Sequence, residues 1–184
     1  SKRAGEDAVR DALSGRDWRI LRPGAIYGEH DQESLKVLKL SNSPLQLMLN
    51  SASARIAMVD ARDAARAVVA AAQVSDIGAI HEISDARLDG YRWDELAAIA
   101  AKALQKRERP VRLPAAVLKT AGGIGGLIAG LTGGVEMLTP GKVREILHQD
   151  WSVNDPLPAA LYTPQVSLEQ GLTDMARASG LLSR

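Results

Sequence analysis

Two stretches of this chain carry the residue types that chemistry needs. Lys2 stands at the start of an amphipathic run, and Leu21-Arg22-Pro23-Gly24-Ala25-Ile26-Tyr27-Gly28 follows further along, closing a short apolar segment. A lysine supplies a compact cation, and near a helix start it can act on a group one turn away, because residues i and i+4 share a face. A strand that stops at Pro-Gly is expected to leave main-chain groups unpaired at the carboxyl edge of a sheet, where open α/β sheets take their ligands. Plainer readings stand beside both. Lys2 is equally a solvated charge, Pro23-Gly24 an ordinary turn, Arg22 a buried structural charge, and Tyr27 a ring packed under the loop. His30, His81 and His148 are far apart in sequence without metal-ligand spacing, so no metal site is expected. Gly123-Ile124-Gly125-Gly126 lacks both a preceding strand and the glycine spacing of a dinucleotide fingerprint.

Composition removes several classes of function. Lys+Arg 23 against Asp+Glu 22 leaves a net charge of +1, so no global field recruits nucleic acid or anionic membrane. The basic cluster Lys102, Lys106, Arg107, Arg109 and Arg112 has no interleaved aromatic platform and reads as a solvated helix end. Cysteine is absent, which excludes disulfides, thiolate chemistry and cysteine-based zinc sites. No segment reaches the roughly 18 apolar residues of a membrane span, and a cytoplasmic protein is expected. Phe is also absent, so the core must be built from Ala, Leu, Val and Ile.

The elements that must position these residues follow from periodicity and punctuation. Ser1–Leu13 has helical spacing, with Ala4, Ala8 and Ala12 in a stripe beside Val9, and Gly15 as its stop. Trp18–Leu21 reads as a strand ended by Pro23-Gly24. A short helix is expected within Glu29–Lys39, an irregular stretch with a possible strand at Leu45–Leu49, and a strand at Arg55–Val59. Asp60–Gln73 is an apolar helix, Ala79–Ile83 a strand, Trp93–Leu104 a helix and Pro110–Pro114 an extended piece. Helices are further expected over Ala115–Leu131, Gly141–His148 and Ser167–Ser179. Gly122, Gly126, Gly130 and Gly134 recur every fourth residue, in the manner of a loosened surface helix or a close-packing face. Strands alternating with helices argue for α/β architecture with a largely parallel sheet. Three strands are too few for a complete doubly wound domain, which suggests a missing N-terminal half.

Four stretches in this order resemble the C-terminal portion of the extended short-chain dehydrogenases/reductases, the NAD-dependent epimerase/dehydratase family. Ser1-Lys2-Arg3-Ala4-Gly5-Glu6 is similar to the end of a Tyr-x-x-Ser-Lys motif and its following glutamate. Leu21–Gly28 is similar to the Leu-Arg-Pro-x-x-x-Tyr-Gly segment, Met58–Ala67 to Val-His-Val-x-Asp-x-Ala-x-Ala, and Ala79–Ser84 to the strand after it. The likeness runs over about residues 1–115 and then fades. It implies an α/β fold: the C-terminal half of a Rossmann-type doubly wound parallel sheet plus a small mixed α/β substrate-binding lobe. Residues 1–40 and 55–90 would belong to the NAD(P)-binding domain, and 41–54 and 91–184 to the substrate lobe with the C-terminal helices.

The resemblance also implies roles. Lys2 would be catalytic and would hold the nicotinamide ribose, beside an acid/base tyrosine one turn earlier. The ammonium would lower that phenol's pKa from about 10 toward neutrality. Pro23, Gly24, Ala25 and Ile26 would bind NAD or NADP near its carboxamide. Tyr27 and Arg55 would touch substrate, with Arg55 near a zone where nucleotide-sugar enzymes place a phosphate-binding arginine. Asp63 would cap a helix or hold a loop, and Asp60 departs from the family's histidine. The implied activity is NAD(P)-dependent oxidoreduction, epimerisation or dehydration through hydride transfer at a carbonyl or hydroxyl carbon. The substrate is a small molecule, and apolar Leu45–Leu49 hints that it is lipid-like or alicyclic. The family often forms homodimers through the catalytic helix. Without the phosphate-binding glycine loop and the tyrosine, the isolated chain is expected to be inactive, with a bare sheet edge. The alternative is a non-catalytic relative that binds a dinucleotide as a structural or sensing ligand and acts through protein contacts. The residue four before Lys2 separates the two.

Overall fold

Strand pairing divides the chain into small sheets joined by single residues. The computed structural model describes residues 2–41, 46–48, 54–74, 77–107, 110–112 and 148–182. Helix α1 (Lys2–Ala12) leads into β1 (Trp18–Pro23), which pairs in parallel with β6 (Ile77–Ile83), Leu21 opposite His81 and Pro23 opposite Ile83. The far edge of β6 is covered by a returning segment: the Glu82 N–H donates to the Asp155 carbonyl (2.7 Å) and the Leu157 N–H to that of Glu82 (2.9 Å). Among the described residues no strand pairs with the other edge of β1. No residue of α1 is buried, so its stripe of Ala4, Ala8, Val9 and Ala12 faces outward.

The chain does not end its ladder at Pro23-Gly24. It continues as β2 (Ala25–Tyr27), parallel to β5 (Met58–Asp60). The single strand expected over Arg55–Val59 is two, β4 (Arg55–Ile56) and β5, with buried Ala57 between them. β4 is the centre of a second sheet, flanked by β7 (Tyr91–Arg92) and β9 (Asp150–Trp151). Ala57 serves both sheets, donating its N–H to the Trp151 carbonyl (3.0 Å) and accepting from the Ala25 N–H (2.8 Å). Gly24 lies so close that a Cβ there would fall 2.6 Å from the Ala57 oxygen. Only glycine permits that approach. β3 (Gln46–Met48) pairs in parallel with β8 (Pro110–Arg112), in agreement with the extended pieces expected in both places.

Helices α2 (Gln32–Ser41), α3 (Ala61–Ala72), α4 (Trp93–Ala103) and α5 (Leu168–Ala178) complete the described elements. Their starts are chemically marked. Asp60 caps α3 by accepting the Arg62 N–H (2.8 Å), Ser167 caps α5 by accepting that of Gln170 (3.3 Å), and Glu95 reaches back to the Arg92 N–H (2.8 Å) at α4. One core lies among α2, α4 and α5 around Tyr27, Leu38, Leu168 and Met175; a second joins Val59, Ala67, Ile83, Leu157 and Tyr162. The helix expected over Ala115–Leu131 and the glycine series lie outside the described residues, as does the helix expected over Gly141–His148 apart from His148, which is not helical. Among the described residues no helix is long and apolar enough to cross a membrane.

Gly171 on α5 is the tightest helix contact. A Cβ there would meet Tyr27 Cε2 at 2.6 Å and Asp60 Oδ2 at 2.7 Å. Gly171→Ala is therefore expected to lower stability by about 1–3 kcal/mol through overpacking, despite alanine's better helix propensity. A lowered denaturant midpoint with unchanged slope is the readout; an unchanged or raised midpoint would contradict this packing.

Candidate functional site

Helix α1 and the Leu21–Gly28 stretch meet in one ion pair. Arg22 donates from Nε to Glu6 Oε1 (3.0 Å) and from Nη2 to Glu6 Oε2 (2.7 Å), a fork that ties α1 to the carboxyl end of β1. The Arg22 hydrogen bonds hold the Glu6 carboxyl below its usual range. Lys2 lies one turn before Glu6 on the same helix face, roughly 6 Å along the axis. Its side chain is exposed. Arg22 is accordingly no buried structural charge but a half-exposed clamp.

The Pro23-Gly24 turn differs from expectation in its main chain. Its N–H groups are not left unpaired: Gly24 donates to the Ile83 carbonyl (2.9 Å) and Ala25 to that of Ala57 (2.8 Å). The reason is the β2 continuation, which recruits them into sheet bonds. Pro23 and Ile26, the latter 45% exposed, are the apolar residues this turn leaves open to solvent.

Tyr27, expected at the substrate, is completely buried beneath Gly171 of α5. Burial, with the Asp60 charge adding to it, raises its phenol pKa far above normal. The packed alternative is the one the structure adopts, because β2 turns this ring inward against α5. Arg55 sits on β4 and donates from Nη1 to Asp89 Oδ2 (2.6 Å), so its charge is already engaged. His30, His81 and His148 stand on separate segments of the fold.

The aspartates divide their work. Asp60 carries the α3 cap and accepts the Arg62 guanidinium (2.8 and 2.9 Å), which also reaches Asp174 of α5 (3.0 Å). Burial alone would raise the Asp60 pKa, but the Arg62 hydrogen bonds outweigh it and hold the carboxyl low. Asp63 holds a loop. Its carboxylate accepts the N–H groups of Gln165 (3.0 Å) and Val166 (2.8 Å) and pairs with Arg66.

Asp85 was not singled out by sequence, although the pattern Asp85-Ala86-Arg87 after a strand fits an Asx turn. It is buried, donates its own N–H to the Met58 carbonyl (2.7 Å), and accepts from the Arg87 N–H (2.9 Å) and the Tyr91 hydroxyl (2.6 Å). It thus joins β5 to β7 where the two sheets meet. Burial pushes its pKa up, against the Tyr91 hydrogen bond. An acid whose folded pKa is raised stabilises fully below its unfolded value, and that contribution is lost as pH rises through the folded value. The Asp85 contribution to stability should therefore fall as pH rises above the ordinary carboxylate range, opposite in sign to that of Asp60. Asp85→Asn should flatten that fall and shift melting temperature upward at neutral pH; an unchanged pH profile would refute the assignment.

Parallel strand pairs with α3 against them, joined to a smaller mixed lobe through Ala57, define the class. This is a Rossmann-type α/β fold, shared with solved nucleotide-sugar epimerases. No family model matches the chain. It is 37% identical over 187 residues to the ceramide reductase of Caulobacter vibrioides, spanning 100% of this chain and 58% of that protein. The UDP-glucuronic acid 4-epimerase of Bacillus cereus, solved with NAD and a fluorinated UDP-sugar, matches 98% of this chain and 52% of its own, with TM-score 0.66 and 18% identity. The UDP-glucose 4-epimerase of Thermotoga maritima, solved with UDP-glucose, matches 97% and 50%, with TM-score 0.62 and 17% identity. The chain spans about half the length of these relatives.

Proposed function

We propose that this chain supplies part of the site of an NAD(P)-dependent oxidoreductase that reduces a carbonyl carbon on a ceramide-like lipid, or oxidises the corresponding alcohol. The carrying observation is the Glu6–Arg22 fork, which holds α1, and Lys2 with it, against the end of β1. The lipid substrate is favoured by the identity to a ceramide reductase along the whole chain.

The exposed groups suit a dinucleotide. Lys2 would hold the ribose hydroxyls, and the exposed Pro23 and Ile26 would offer apolar surface to the nicotinamide. When bound, NAD(P)H supplies the hydride. Lys2 would place a cation beside the reacting oxygen and its proton donor, lowering the proton affinity of a neighbouring phenol or developing alkoxide. Gly24, with no room for a side chain, keeps the turn flat. Residues 1–40 and 55–90 form the dinucleotide side. Residues 41–54 and 91–184 form the substrate side, with 155–166 returning against the first.

The test uses the protein that contains this chain, purified and mixed with NADPH or NADH and a keto-ceramide in detergent. Lipid-dependent loss of nicotinamide absorbance, with the alcohol identified by mass spectrometry, is expected. Saturable dinucleotide binding without turnover of any carbonyl lipid would instead favour a dinucleotide-binding protein without catalysis.

A further inference from the structure

Of all the aspartates in the sequence, Asp89 alone is followed by glycine. Glycine has no Cβ to keep its main-chain nitrogen away from the preceding side chain. The Gly90 nitrogen can therefore attack Asp89 Cγ. Its proton, a solvent proton and one carboxylate oxygen leave as water, and a cyclic imide closes. Water then opens the imide at either carbonyl. One product is the original linkage; the other runs through the side-chain carboxyl, with the same mass and one extra main-chain carbon.

The fold both exposes this pair and restrains it. Asp89 lies in a turn closed by the Gly90 N–H donating to the Arg87 carbonyl (3.0 Å), and its side chain is 65% exposed to water. Its carboxylate accepts Arg55 Nη1 (2.6 Å), with Arg87 Nε at 3.7 Å. Closure requires the carboxylate to leave Arg55 and the nitrogen to leave the Arg87 carbonyl. An exposed ion pair adds little to stability, but it holds its carboxylate in place by a factor of roughly two to five. The rearranged product does not fit. Gly90 has φ +70°, and a Cβ there would fall 2.8 Å from the Ile56 main-chain carbon. Tyr91, the next residue, pairs with Ile56 and donates its hydroxyl to Asp85 (2.6 Å). An extra carbon before Gly90 must part β7 from β4.

We propose that Asp89–Gly90 is a site of spontaneous imide formation and isoaspartate conversion in this chain, and that Arg55 is the residue that restrains it.

The test is incubation of the full chain at neutral pH and physiological temperature, followed by peptide mapping with fragmentation that distinguishes isoaspartate from aspartate. Isoaspartate should accumulate at Asp89 ahead of every other aspartate, and roughly two to five times faster in Arg55→Gln. Arg92→Gln removes a guanidinium paired with Asp94 from the same sheet and should leave the rate unchanged. In denaturant, where the turn is lost, Arg55→Gln and the unchanged chain should convert equally fast. Conversion chiefly at another aspartate, no conversion at Asp89, or equal rates in folded Arg55→Gln and the unchanged chain would overturn the proposal. So would an equal acceleration by Arg92→Gln, which would trace the effect to lost stability. The readout is a covalent linkage, so it stands or falls apart from any turnover of lipid.

Discussion

Asp63→Ala is expected to remove about 2–4 kcal/mol of stability, because it takes a buried carboxylate away from two main-chain donors and from the partly exposed Arg66. Asp63 is 0% exposed, and its two oxygens serve the main-chain N–H groups of Gln165 and Val166 as well as Arg66. Alanine would leave those two donors without acceptors and Arg66 without its counter-ion. The two main-chain donors carry most of that penalty, since the Arg66 side chain is partly exposed and can turn to water. That segment leads directly into Ser167, the cap of α5, so the damage should extend to α5's contacts with Leu38 and Tyr27. Asp63→Asn keeps one acceptor oxygen and should cost less. Thermal unfolding should show the order Asp63→Ala, then Asp63→Asn, then the unchanged chain. If alanine and asparagine are equally mild, the carboxylate is not holding the loop.

Lys2→Ala should leave folding almost untouched, within roughly 0.5 kcal/mol, since the side chain is exposed. Under the proposed function its effect is on rate, with kcat falling on the order of 10²-fold or more. A second signature separates an electrostatic role from simple loss of binding. Removing the cation raises the pKa of the group that moves the proton, so the pH dependence of kcat should shift upward. Lys2→Arg keeps a positive charge and should restore part of both. An unchanged kcat together with an unmoved pH profile would remove Lys2 from the catalytic machinery and leave it a solvated charge.

Much of this fold was legible because local signals and tertiary structure agree. α3 begins where Asp60 announces a cap, α5 begins after Ser167, and α1 stops before Gly15, whose φ is +75°. The parallel pairing of β1 with β6 follows from the long crossover between them, which ends in α3. What was not legible depended on contacts between distant residues. β2 follows a Pro-Gly that reads as a stop, and it exists because β5 lies alongside to pair with it. β9 is two residues long and has no pattern of its own; its partner β4 makes it a strand. The same holds at the candidate site. Lys2 and the Pro23-Gly24 turn could be found by residue type and order. Tyr27 could not be assigned to core or substrate without knowing that Gly171 sits over it. Arg55 could not be known as neutralised without its partner Asp89, which lies on another turn of chain.

The return of residues 155–166 across β6 and α3 also sets an order in time. Asp63 finds its main-chain partners 102 and 103 residues later, and Tyr162 and Leu157 complete the core around Val59 and Ile83. At about 5–20 residues per second, a ribosome needs roughly 5–20 s to span that interval. During it, α3 and β6 can form but cannot seal their shared core. Val59, Ala67 and Ile83 therefore emerge with their apolar surface open to chaperones until residues 155–166 have been made.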